Sequence, residues 1–167
     1  MRIGLLSDSH GFLDEAIFAH FADCDEIWHA GDFGSLELLN RLDAFKPLRG
    51  VFGNIDDGAV RQRVSLDLGW ECEGIQVYMT HIGGYPGRYE RNVKKELTKR
   101  RPAVFICGHS HIVRVMRDDE LDLLHINPGA CGHQGWHSER TVMRFTAQAG
   151  KIGDLAVIQL GPRGRGR

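Results

Sequence analysis

The sequence contains no long apolar run. In 167 residues with 42% hydrophobic content, nothing approaches the roughly 20 apolar residues that span a bilayer, so no membrane association is expected. Charge imbalance is equally scarce. A formal net charge of −1 argues against a dedicated nucleic-acid binder, whose binding face is strongly basic. The four cysteines, Cys24, Cys72, Cys107 and Cys131, never fall at CxxC spacing, which leaves no zinc-ribbon or dithiol motif. The opening MRIGLLSDSH has no small-residue cleavage site of a secretory signal. These absences predict a cytoplasmic protein with reduced thiols. Internal repeats, low-complexity segments and linkers are missing too, so a single domain is expected over residues 1–161. The Gly- and Arg-rich residues 162–167 read as a disordered, solvated tail. Histidine is what the chain has in excess, with nine.

Apolar stretches mark the elements. Strands are predicted at 2–7, 26–30, 48–52, 74–80 and 103–107, and again at 112–117, 121–126, 139–146 and 154–160. Helices are predicted at 13–22, at 35–45 with Ser35 as cap and Pro47 as stop, and at 88–101 before Pro102. Turns are expected at Asp118-Asp119, Asn127-Pro128-Gly129 and Ala149-Gly150. Strands alternating with helices, then a strand-rich half, indicate α/β (α+β) layering with mixed sheets. Each of the first five strands ends in Asp, Asn or His, usually beside glycine. Ligands of open α/β sheets gather beyond the carboxyl ends of strands, so a shared site is expected there.

The residues collected in this way are Asp8, His10, Asp32, Asn54, His81, His109 and His111. Imidazole nitrogens with carboxylate oxygens suit borderline divalent ions. Manganese is the expected ion, and iron, zinc, nickel and cobalt are compatible. Seven side chains exceed the needs of one tetrahedral ion and fit two. Two ions about 3.5–4 Å apart can clamp the attacking and leaving oxygens of a phosphoryl transfer, and a shared hydroxide, formed from water with a pKa lowered to roughly 7, would attack. Asp32, a short carboxylate following Gly31, is the natural bridge.

The ordered series Asp8-x-His10, Gly31-Asp32, Gly53-Asn54-x-Asp56, His81 and Gly108-His109-x-His111 resembles the calcineurin-like metallophosphoesterase superfamily, in particular its small bacterial and archaeal phosphodiesterase branch. The resemblance implies a four-layer α/β/β/α sandwich with two facing mixed sheets. It also implies one ion at Asp8, His10, Asp32 and His111, and another at Asp32, Asn54, His81 and His109. Asn54 and His81 are then candidate catalytic residues at the second ion. The implied substrate is a small phosphate ester, most naturally a diester. A homo-oligomer is compatible with these features.

The chain departs from the wider family pattern. Many members place a histidine acid directly after the metal-binding asparagine, where this chain has Ile55. Protonation of the leaving group must then come from Asp56, from a histidine such as His133, or from water. The stretch His81–Tyr89 is Gly-rich and aromatic where relatives read His-Gly-His, and Arg88 there could pair a phosphate. His133–His137 reads as a mobile loop. His20, His29, His125 and His137 read as structural or surface residues. Trp28, Phe33, Trp70 and Trp136 read as buried aromatics. Lys94, Lys95, Lys99, Arg100 and Arg101 read as a solvated helix face. The competing readings are a catalytically silent scaffold, which would be expected to lose its metal-binding histidines, and a nuclease, for which 167 residues leave no room for an added DNA-binding module.

Overall fold

Strand β1 (Arg2–Leu6) shows how the layers arise. Successive side chains on a strand point to opposite faces. Ile3 and Leu5 enter one apolar cluster with Val77, Met79 and Ile106, whereas Leu6 enters another with Ile17, Phe21 and Leu39. A strand buried on both faces reads as an uninterrupted apolar run, which is why RIGLL shows no polar alternation. The computed structural model describes residues 1–164.

β1 lies in a five-stranded sheet. It runs parallel to β2 (Glu26–His29), and β2 runs parallel to β3 (Leu48–Gly50). On its other side β1 is antiparallel to β11 (Glu139–Gln148), which turns through Ala149-Gly150 into the antiparallel β12 (Lys151–Pro162). Both turn residues have positive φ, as a two-residue hairpin turn requires. The second sheet has the order β4 (Asp67–Cys72), β5 (Ile75–Thr80), β8 (Val104–Ile106), β10 (Leu123–Pro128), β9 (Val113–Asp118). Its three central strands are parallel and its edges antiparallel. A small ribbon, β6 (Gly84–Tyr85) with β7 (Arg88–Tyr89), stands apart.

The two sheets face each other across the cluster that holds Trp28, Phe145, Val104 and Ile126. Helices α1 (Ala16–His20), α2 (Leu36–Phe45) and α3 (Gly58–Arg61) bury Ile17, Leu42 and Val60 against the outer face of the first sheet. Helix α4 (Arg91–Arg100) buries Val93 and Leu97, one turn apart, against Tyr78, Phe105 and Leu123 of the second. The result is the expected α/β/β/α sandwich.

Local chemistry sets the ends of α2. Ser35 Oγ accepts the Leu38 N–H at 3.1 Å, and Lys46 is already extended ahead of Pro47. Ser35→Ala is expected to cost about 1 kcal/mol, a fall of roughly 2–4 °C in Tm for a domain of this size. Calorimetric melting checks it, and an unchanged Tm would count against the cap.

Some elements differ from the sequence reading. β4, α3 and the β6–β7 ribbon were not foreseen, and the last helix begins at Arg91 rather than residue 88. Leu68, Trp70 and Cys72 of β4 do alternate toward the inter-sheet cluster, but Gly69 between them masks the period. Trp136, expected to be buried, is 101% exposed. Of the anticipated tail, Pro162 pairs with Glu139, and Arg163 N–H donates to Ser138 O at 2.8 Å. Residues 165–167 lie outside the described residues. The four cysteines are buried and unpaired. Among the described residues no helix is long and apolar enough to cross a membrane.

Candidate metal centre

The parallel strands deliver their carboxyl ends to one edge of the sandwich. Asp8 and His10 follow β1, Asp32 follows β2, and Asn54 follows β3. His81 follows β5, and His109 and His111 follow β8. Both sheets thus contribute. Five of these residues, Asp8, His10, Asp32, His109 and His111, have φ between 49° and 66°. Such left-handed backbone is sparsely populated by non-glycine residues and persists where the surroundings impose it, often at functional sites.

Two three-membered donor groups result: Asp8 with His10 and His111, and Asp32 with His81 and His109. Within each group the donor atoms lie within 4.8 Å of one another. Asp32 joins the groups, with Oδ2 at 3.2 Å from His81 Nε2 and 3.5 Å from His10 Nε2. His111 Nε2 stands 3.1 Å from Asp8 Oδ1. Asn54 Oδ1 is 3.2 Å from His81 Nε2. The structure therefore brings all seven predicted side chains into this region.

The donor atoms are aimed inward and in part left unpaired. Asp8 Oδ2 accepts the Ser7 hydroxyl at 2.7 Å and the His109 N–H at 3.0 Å, while Asp8 Oδ1 is buried without a hydrogen-bond partner. His10 Nε2 is likewise buried and unpartnered. Orphaned buried polar atoms cost about 1–3 kcal/mol each, and a cation between them would satisfy both. His81 Nδ1–H donates to Ala30 O at 2.7 Å, so Nε2 is the nitrogen turned toward the acceptors Asp32 Oδ2 and Asn54 Oδ1. A ligating imidazole is commonly fixed by a bond of this kind. The residues present fit divalent cations.

Electrostatics agree for Asp8, Asp32 and His10. Burial alone would raise Asp8, but His111, His81 and the Ser7 hydroxyl outweigh it and hold the carboxyl below its ordinary range. Asp32 is lowered too, because His81, the Ile55 N–H and His10 overcome its burial. Burial pushes His10 down, toward the neutral form that ligates, despite the pull of Asp32 and Asp8. His81 goes the other way: the nearby Asp32 and Asp8 raise it against its burial. Ligation needs the neutral ring, so an ion at this position competes with a proton.

Residues beyond the predicted set hold the loops. Asp56, suggested by the sequence as a proton donor, instead clamps two turns. Its Oδ1 accepts the Gly34 N–H and its Oδ2 the Gly53 N–H, both at 2.8 Å, which leaves both oxygens occupied as acceptors. Gly53 has room for no side chain, since a Cβ there would lie 1.9 Å from Asp32 Oδ1. Asn127 Nδ2–H donates to Gly108 O at 2.9 Å and so secures the turn that carries His109. His29 and His137, read as bland in sequence, both reach this region. His29 Nε2 lies 2.8 Å from Ser9 Oγ, and His137 Nδ1 lies 3.3 Å from His111 Nδ1. No spacing rule could have signalled these contacts. His133 faces Arg163 O and Phe12. Arg88 is exposed and paired with Tyr85 in the ribbon. A cleft of about 450 Å³ opens beside Asn54 and His81, walled by Phe52, Arg61, Tyr78 and Ile82.

Residues 1–150 match the calcineurin-like phosphoesterase superfamily domain. A probable metallophosphoesterase of Methanothermobacter thermautotrophicus is 31% identical over 137 residues, covering 78% of this chain and 77% of the relative. One from Methanocaldococcus jannaschii is 30% identical over 136 residues, covering 78% and 68%. Among solved structures, a novel archaeal phosphodiesterase aligns with a TM-score of 0.74 at 22% identity, over 96% of this chain and all of that one. Vps29 from Entamoeba histolytica, complexed with zinc, aligns with a TM-score of 0.74 at 12% identity, over 96% and 99%. At these identities the structural likenesses speak for the fold alone.

Proposed function

The chain belongs to the calcineurin-like phosphoesterase superfamily, and from that premise we propose that it is a two-metal phosphodiesterase acting on a small phosphate ester. Family membership supports the coarser statement, a metal-dependent phosphoesterase. The observation that carries the finer one is the pair of donor groups joined through Asp32, with Asp8 Oδ1 and His10 Nε2 buried and unsatisfied between them.

Asp8, His10, Asp32 and His111 would hold one ion, and Asp32, Asn54, His81 and His109 the other. When bound, two such ions supply a water acidic enough to attack at neutral pH and positive charge for the phosphoryl oxygens. Asp32 spaces the two positions. His81, locked by Ala30 O, and Asn54 stand between the second position and the cleft, where they would orient the ester. Ile55 donates only its backbone N–H, to Asp32 Oδ1 at 3.1 Å, and its side chain is 44% exposed. An apolar side chain gives the leaving group no proton, so water is its source.

A metal-supplemented screen that sets bis-aryl phosphodiesters and cyclic nucleotides against monoesters tests the proposal. Hydrolysis of diesters that stops with a chelator and returns with manganese supports it; absence of phosphoesterase activity with every divalent ion refutes it. Because no acid stands at Ile55, rates across a series of aryl diesters are expected to rise steeply as the leaving phenol becomes more acidic. A flat series would show that the enzyme holds an acid elsewhere. The silent-scaffold reading anticipates lost donors, and none of the seven is lost. A cytoplasmic, nucleic-acid-independent role remains part of the proposal.

A further inference from the structure

The loop after β10 lies against the first donor group. Cys131 N–H donates to Ser7 O at 3.0 Å and Gly132 N–H to Asp8 O at 3.1 Å, which ties the loop to the turn that carries Asp8. Gly135, at φ +113°, brings its backbone onto the His111 ring; a Cβ there would lie 2.0 Å from His111 Nδ1. His137 then meets the same nitrogen, with Nδ1 to Nδ1 at 3.3 Å and the rings edge to face. The far nitrogen of His137, Nε2, lies 3.0 Å from Gly132 O.

One arrangement of protons satisfies this chain when both rings are neutral. A carbonyl oxygen only accepts, so His137 Nε2 carries a hydrogen. His137 Nδ1 is then an acceptor, and His111 Nδ1 must donate to it. His111 Nε2 keeps its lone pair, and that nitrogen faces Asp8 Oδ1 at 3.1 Å.

We propose that His137 is a positioning residue: it accepts the His111 Nδ1–H, fixes the tautomer of His111 and so readies Nε2 for the ion held with Asp8 and His10. The inference rests on the two-metal reading above and assigns a part in it to a loop histidine outside the donor set. Partners of this kind orient a ligating imidazole and raise its basicity, and their loss costs roughly 10–100-fold in metal affinity.

The test is calorimetric titration of the metal-free protein with manganese, which reads binding and not turnover. His137→Asn places an amide oxygen near the position of Nδ1 and can still accept from His111. His137→Gln places an amide nitrogen near Nε2 and keeps only the bond to Gly132. His137→Phe keeps neither. The Phe and Gln variants are expected to weaken one site roughly 10–100-fold and leave the other unchanged, while the Asn variant stays near wild type. Wild-type affinity at both sites in the Phe variant overturns the proposal, as does rescue by Gln but not Asn. Loss of both sites together with a lower Tm of the metal-free protein marks a purely structural loop and overturns it too. Wild-type protein that takes up no ion refutes the two-metal reading itself, a result read before any variant is compared.

Discussion

Asp32→Asn is expected to lose metal-dependent phosphoesterase activity by about 10³-fold or more and to lower the manganese content of the protein. Asp32 is the carboxylate that reaches both donor groups, with Oδ2 at 3.2 Å from His81 Nε2 and 3.5 Å from His10 Nε2. An amide in its place cannot balance two cations. The several kcal/mol that bound ions contribute to phosphoryl transfer correspond, at about 1.4 kcal/mol per tenfold, to that loss in rate. Asparagine is preferred to alanine here because Asp32 sits at φ 58°, a left-handed conformation that Asn adopts readily and Ala does not. The variant should therefore fold, and Ile55 N–H keeps an oxygen to donate to. Steady-state rates and elemental analysis of the purified variant check the expectation; near-normal activity with manganese would falsify the bridging role.

The second large effect is on stability and comes from His29. Its ring is fully buried, stacked on Phe33 at 3.7 Å between centroids. Gly31 N–H donates to Nδ1 at 3.1 Å, so Nε2 carries the hydrogen and faces Ser9 Oγ at 2.8 Å. Burial, which outweighs the attraction of Asp8, pushes its pKa down from 6.5 to about 3. The unfolded chain takes up a proton below pH 6.5 that the folded protein refuses until about pH 3. The stability from His29 is thus complete above pH 6.5 and falls with acid by about 1.4 kcal/mol per unit. By pH 4 the loss is on the order of 3 kcal/mol. Protonation would also set one N–H against another at Gly31 and unseat the turn that carries Asp32. Urea unfolding of metal-free protein between pH 7 and 4 measures it. His29→Asn keeps an acceptor for Gly31 and removes the titration, so its stability should fall less steeply with acid than that of wild type. Parallel slopes would show that His29 does not titrate in this way.

The contrast between these residues shows what the sequence could convey. Asp8, His10, Asp32, Asn54, His81, His109 and His111 were legible because strand-end position, side-chain chemistry and neighbouring glycine are all local features. Asp56 and Asn127 bond the backbone of loops 22 and 19 positions away, and His29 and His137 reach Ser9 and His111, 20 and 26 positions away; no local pattern encodes those. The strands buried on both faces were plain as apolar runs, whereas β4 was hidden by Gly69. The β6–β7 ribbon is two residues a side, too short for any period. The facing of the two sheets followed from family resemblance, because periodicity tells which side of a strand is apolar but not what covers it. Trp136 went against the habit of burying aromatics: its loop is held by backbone bonds and by the small Gly132 and Gly135, which leaves the indole outside.

One consequence of the layout concerns mechanics rather than chemistry. The donors come in comparable number from each sheet, and an apolar layer fills the space between the two. Contact between them at this edge already joins residues 101 positions apart in the chain, through the His109 N–H and Asp8. Ions held across that edge would act as reversible cross-links. Unlike a disulfide, they would leave when the chain unfolds, so they would stabilise the folded state by mass action, and a chelator could withdraw that stability without breaking a covalent bond.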